Sequence, residues 1–152
     1  MADEKLAESG VRPKWLSIAM LEADVAEVPG SRDNPRVIEY LQSTTTAPQQ
    51  WHDETPWCSA FVNWCMREAG IVGTNLANAR SWLHWGSPLL APRLGCIAVF
   101  SSPTRGEQAG HVGFYVSETG RHIHVFGGNQ HNRVCLEPRE RAQLIGFRWP
   151  SG

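Results

Sequence analysis

Thr55-Pro56-Trp57-Cys58-Ser59-Ala60-Phe61-Val62-Asn63-Trp64 carries the chain from a turn into an apolar-periodic helix, with Cys58 where the helix begins. Phe61, Trp64, Cys65 and Ala69 recur at helical spacing, so one stripe of a helix from about Pro56 to Ala69 faces inward, and Gly70 ends it. Cys58 stands three residues before Phe61 and is expected on that same side, facing the interior or a cleft. A thiol in the first turn of a helix meets unsatisfied N–H groups and the partial positive charge of the terminus. Those surroundings favour thiolate, the nucleophilic form.

Upstream of that helix, Lys14 to about Val25 reads as a helix with Trp15, Ile18, Ala19, Glu22 and Val25 on one stripe. Pro29-Gly30-Ser31-Arg32-Asp33 breaks it. Asn34 then caps a second helix with Pro35 at its first position and Val37, Ile38 and Leu41 as its apolar face. Residues 42–56, rich in Thr, Pro and Gln, read as a loop, and a fourth helix is expected from Leu76 to Trp85, stopped by Gly86. Beyond Pro92 the pattern changes to short β-type runs: Cys96–Phe100, His111–Ser117, Arg121–Phe126, Val134–Leu136 and Leu144–Arg148. Helices followed by sequential strands predict an α+β fold, with the cysteine helix packed on one antiparallel sheet of about five strands. The 152 residues suit one domain over 13–152, preceded by a flexible N-terminus at 1–12.

With 41% hydrophobic and 19% charged residues the chain is globular, and a net charge of −1 argues against nucleic acid as a partner. The N-terminus lacks the basic-then-apolar layout of a signal peptide, and no apolar run approaches the ~20 residues that span a bilayer. The expectation is therefore cytoplasmic synthesis without a Sec signal and no membrane insertion. None of the four cysteines shows Cys-x-x-Cys spacing, and His122, His124 and His131 lack matching carboxylates or thiols. No metal or other cofactor is expected. Cys65, Cys96 and Cys135 read as small buried hydrophobes, with a Cys96–Cys135 contact left open.

A thiol hydrolase needs a thiolate, an imidazole that takes and returns the proton, a group that orients the imidazole, and oxyanion donors. His111, in Ala109-Gly110-His111-Val112-Gly113, begins a strand and is the candidate base; Gly110 and Gly113 would leave room for a substrate chain. The third group should come from the next strand, His122-Ile123-His124-Val125-Phe126, which runs into Gly127-Gly128-Asn129-Gln130. Asn129 could accept from the imidazole through its carbonyl, and His124 competes with it. Trp57, Ser59 and Gly110, beside the proposed nucleophile and base, are the candidate substrate contacts.

At these residues the sequence resembles the papain-like cell-wall peptidases of the NlpC and CHAP type. Pro56-Trp57-Cys58-Ser59-Ala60-Phe61-Val62, Gly110-His111-Val112-Gly113 and Gly127-Gly128-Asn129-Gln130 carry the resemblance. Glu27-Val28-Pro29-Gly30, Asn34-Pro35-Arg36-Val37-Ile38-Glu39-Tyr40-Leu41, Ala79-Arg80-Ser81-Trp82 and Gly146-Phe147-Arg148 extend it towards a small phage- and bacterium-borne branch. The resemblance implies a peptidoglycan hydrolase with Cys58 as nucleophile, His111 as base and Asn129 as orienting group. It departs at Cys96, where such enzymes usually show Asp, and at Gly127, where many carry Glu; His124 and Gln130 are the alternatives to Asn129 for the third group. Peptidoglycan is then the expected partner of a monomer, delivered through a holin as an endolysin or by a secretion machine as an antibacterial effector. An effector would bring a cognate immunity protein. The alternatives are a papain-like acyltransferase or protease on a non-wall substrate, or a non-catalytic binding domain.

Overall fold

The structure is a computed structural model that describes residues 12–29, 32–53, 55–102 and 109–151. The flexible terminus expected at 1–12 lies outside the described residues except for Arg12. Helices α1 (Lys14–Met20), α2 (Pro35–Gln42) and α3 (Cys58–Glu68) precede six strands: β1 (Ser87–Leu89), β2 (Ile97–Ser101), β3 (Gly110–Thr119), β4 (His122–Gln130), β5 (Arg133–Glu140) and β6 (Leu144–Trp149). The strands form one antiparallel sheet in the order β1-β6-β2-β3-β4-β5. The α+β expectation holds, with one strand more than the pattern suggested. The extra strand, β1, is an edge strand with Pro88 at its centre, and proline disguises an edge strand because it cannot donate to a ladder.

α1 stops five residues short of the expected Val25. The backbone that would have continued it pairs with β5 instead: Asp24 N–H donates to Val134 O (2.9 Å) and Val134 N–H to Val25 O (2.8 Å). Glu22, on the predicted stripe, is buried, and its carboxylate accepts from the Tyr40 hydroxyl at 2.7 Å and pairs with Arg36 at 2.9 Å. α2 forms as predicted, with the Asn34 side chain accepting from Arg36 N–H at its start. The fourth helix shortens to a 3₁₀ segment, Ala79–His84. The backbone before it is engaged elsewhere, because Asn63 of α3 accepts Asn75 N–H (2.8 Å) and donates to Leu76 O (3.3 Å).

The core divides at the sheet. Val99, Val112, Phe114 and Phe126 pack with Leu16, Tyr40 and Phe61 from the helical layer. On the opposite face Ala98, Phe100, Tyr115, Ile123, Val125 and Phe147 make a second cluster. α3 lies across β3 and β4, the two strands that carry His111 and the Gly127–Gln130 run.

Candidate active site

Cys58 is the first residue of α3 and is 8% exposed. The N-cap residue, Trp57 (φ −131°, ψ 18°), makes no side-chain cap bond to this helix end. Uncapped first-turn N–H groups beside a thiol are what an oxyanion donor requires. Cys65 and Cys96 are more deeply buried than Cys58. Both are fully buried; burial pushes the Cys65 thiol well up and that of Cys96 up to about 12, so both stay protonated at neutral pH. None of the four cysteines is in a disulfide. A Cys96–Cys135 bridge is not made, since Cys96 leads into β2 and Cys135 sits in β5, with β3 and β4 between them.

His111 lies near the start of β3, 5% exposed. Its Nε2 is 2.8 Å from Oε1 of Gln130, itself 1% exposed. The carboxamide of Gln130 is held from its other end: Nε2 donates to Cys135 O at 2.7 Å and to Val125 O at 3.2 Å. Both amide hydrogens are thereby used, and reversing the group would set Oε1 against two carbonyl oxygens. The orientation follows from this bond count, so Oε1 faces the ring and accepts. In the neutral imidazole the proton must then sit on Nε2, which places the lone pair on Nδ1.

The bond goes to Gln130 and not to Asn129 because β4 is bulged. The β4–β5 register runs from Gly127↔Cys135 to Gln130↔Arg133, three steps on one strand against two on the other. Asn129 occupies the extra position with φ 58°. Strict alternation would put Asn129 on the side of Val125 and Gly127, and turn Gln130 away. The bulge reverses that order, and a Cβ built on Gly127 would lie 3.4 Å from Gln130 Oε1. His131 and Asn132 then close the hairpin with φ 53° and 63°, the doubly left-handed pair of a two-residue hairpin turn. His124 is turned elsewhere, its Nε2 3.2 Å from Thr119 Oγ1.

Two of the three expected substrate contacts, Trp57 and Ser59, have side chains buried in the core. Trp57 is fully buried, stacked on Tyr40 at 5.7 Å, with its Nε1–H donating to Glu27 Oε2 at 2.9 Å. Ser59 is also fully buried; its hydroxyl donates to Leu76 O at 2.7 Å and accepts from Trp82 Nε1 at 2.9 Å. Neither side chain is placed to meet a substrate. Gly110 is half-buried, and a Cβ there would come within 2.9 Å of Phe100 O, while one on Gly113 would overlap Val125. Close approach of neighbouring backbone and side chains leaves no space for a Cβ at either glycine.

α3 is docked on the bulge through Gly128, where a Cβ would fall 2.7 Å from Trp57 Cζ3 and 2.8 Å from Phe61 Cβ. Cys58 thus belongs to a helix end seated on the residues that lead to Gln130. His122, His124 and His131 go to three different partners, Glu140, Thr119 and Glu137. Among the described residues no group of three or more His, Cys, Asp or Glu could hold a metal ion. The sequence offers Gln130 as an alternative third group and gives no sign of Glu27 as a contact of Trp57, because no periodic signal marks either one.

Residues 50–129 match the CHAP domain family. That span holds Cys58, His111 and Asn129 and ends one residue before Gln130. Among solved structures, the fold is similar to a protein described as similar to lipoprotein, NLP/P60 family, from Staphylococcus aureus subsp. aureus Mu50. The TM-score is 0.52 at 16% identity, over 91% of this chain and 41% of that one, and such a likeness speaks to the fold alone. This chain therefore spans less than half of that protein's length. No curated protein matches the sequence.

Proposed function

The chain belongs to the CHAP-domain family, and from that premise we propose that it is a peptidoglycan hydrolase that cleaves an amide of the stem peptide by thiol catalysis. The observation that carries the reading is the fixed His111–Gln130 pair: with Nε2–H donated to Gln130, Nδ1 is the basic nitrogen. Nδ1 takes the Cys58 proton, and the thiolate attacks the scissile carbonyl carbon. The developing oxyanion is received by N–H groups at the start of α3. Nδ1–H then protonates the leaving amine, which departs and leaves a thioester on Cys58. Water attacks the thioester, gives its proton to Nδ1, and releases the carboxylate product and the thiol. Gln130 keeps the imidazole in one tautomer throughout and stabilises the imidazolium through Oε1. The bond cut is the link to muramic acid for an amidase, or a bond within or between stem peptides for an endopeptidase. The enzyme acts on the wall after delivery as an endolysin or as an antibacterial effector.

The test is digestion of purified sacculi followed by mass spectrometry of the fragments. Wild type should release fragments whose new termini identify the bond, and Cys58→Ala should lower the rate by at least ~10³-fold, the scale on which losing a catalytic nucleophile acts. Equal release by Cys58→Ala would sink thiol catalysis. Intact sacculi alongside Cys58-dependent turnover of another acyl substrate would move the protein to the acyltransferase or protease alternative.

A further inference from the structure

One segment touches both the part of the chain that carries the thiol and the part that orients the imidazole. After α1, residues 24–27 run along β5, and Glu27 N–H donates to Asn132 O at 2.9 Å. Asn132 lies in the two-residue turn directly after Gln130. The Glu27 side chain reaches the opposite way, where Oε2 accepts from Trp57 Nε1 at 2.9 Å. Trp57 immediately precedes Cys58, and its ring covers Gly128 in the bulge. Beyond Glu27 the same segment is fastened to the approach to α3, because Asp53 Oδ2 accepts Val28 N–H at 2.7 Å and Asn34 N–H at 2.9 Å. Asp53 is fully buried, so that clasp is closed to solvent.

We infer that Glu27 is a positioning residue whose amide grips the Gln130 turn and whose carboxylate grips Trp57, fixing the start of α3 against the His111–Gln130 pair. The inference rests on the proposed roles of Cys58 and His111. A hydrogen bond from an indole to a carboxylate is charge-assisted and stronger than a neutral one. It acts on the residue next to the thiol, where an error of ~1 Å in nucleophile placement can cost ~10²-fold in rate. Packing of the Trp57 ring on Gly128 and Tyr40 sets how far the helix end stands from the sheet. The Glu27 bond sets the rotation of the indole within that slot, and with it the direction of the first helical residue.

The experiment measures alkylation of Cys58 by iodoacetamide against pH, resolved by peptide mass spectrometry, together with kcat and KM on solubilised wall fragments. Glu27→Ala should move the Cys58 alkylation profile to higher pH than wild type. It should also lower kcat by roughly 10- to 10²-fold while KM stays within about two-fold. Glu27→Gln, whose side-chain carbonyl accepts the same bond, should recover most of both. Trp57→Phe removes the donor and keeps a ring over Gly128; it should shift the profile as Glu27→Ala does, and the double variant should shift no further than either single one. Where Glu27→Ala does not fold, the Trp57→Phe profile carries the test. A profile and kcat equal to wild type in folded Glu27→Ala, activity lost only in step with the folded fraction, or additive effects in the double variant would overturn the inference. Failure of the underlying reading looks different: Cys58→Ala would keep wall activity whatever stands at position 27.

Discussion

The start of α3 and the corner where β4 turns into β5 hold their side chains by opposite means. From Cys58 to Met66 every residue of α3 is buried, and most are apolar. Its place is set by volume, through Phe61 against Phe114 and Tyr40 and through Trp57 against Gly128. At the corner, placement is set by a bond count: one ring N–H on one carbonyl oxygen, and two amide hydrogens on two backbone oxygens. Packing is non-directional and gives way gradually when a shape changes, whereas a satisfied polar cluster loses its arrangement when one member goes. The thiol is thus located by a core with one polar tether at Trp57, and the imidazole tautomer by a network. Changes of shape in the first should register mainly in stability, and loss of a directional bond in either mainly in chemistry.

Among changes that leave Cys58 in place, the largest expected effect belongs to the network. Gln130→Leu has similar bulk but leaves the buried His111 Nε2–H without its acceptor and releases the Val125 and Cys135 carbonyls. Losing these partners should cost ~1–3 kcal/mol of stability. Freedom of the imidazole to adopt the other tautomer or rotate should lower kcat by ~10²-fold or more, since orientation of a catalytic base by its third group is worth factors of this size. Calorimetry and wall-fragment kinetics measure the two separately. Wild-type kcat in Gln130→Leu would mean that the ring, like the helix, is held by packing, and the contrast between the regions would fail.

Gly128→Ala probes the seam between them. The added methyl group would stand 2.7 Å from the Trp57 ring and 2.8 Å from Phe61 Cβ, and the second of these is too close to the helix backbone to swing aside. Overpacking of this kind costs ~1–3 kcal/mol, so the thermal midpoint should fall by several degrees. Activity should fall along with it as the helix end lifts from the bulge. An unchanged midpoint would show that α3 is not seated on the bulge, and would remove the link by which packing on one side reaches bonding on the other.

The same contrast explains what could be read in the chain before folding. The cysteine helix, the Asn34-capped helix and five strands were legible because their signals are local: a 3.6-residue stripe, a cap with Pro at the next position, short β-branched and aromatic runs between turns. His111 was legible by its place at the start of such a run. The Cys-His-Asn pattern points to Asn129 with Gln130 as an alternative, and only the bulge decides which carboxamide faces the ring, because one left-handed residue inverts every side-chain direction after it. Nearness to Cys58 in sequence suggests Trp57 as a substrate contact, yet an N-cap residue leaves the helix, and this one turns back into the core. The shortening of α1 was invisible for another reason: the open edge of β5, more than a hundred residues later, takes the backbone groups that helix propensity alone would have spent within the helix.

The smallest effect is expected at Asn129, and it tests the corner most sharply because both carboxamides stand next to each other in sequence. With φ 58°, Asn129 serves the bulge through its backbone, a conformation that asparagine tolerates and glycine adopts without steric penalty. Asn129→Gly should therefore leave kcat and its pH profile within about two-fold of wild type and change stability by less than ~1 kcal/mol. Asn129→Ala should cost ~1–2 kcal/mol, because a Cβ is disfavoured at that φ, again with little change in the rate of the folded enzyme. A loss in Asn129→Gly as deep as that in Gln130→Leu would place the imidazole's acceptor at residue 129, in a catalytic arrangement different from the resting one. Equal stability of the Gly and Ala variants would mean that the left-handed bulge is not held in solution; with it would go the reason that Gln130, and not its neighbour, faces His111.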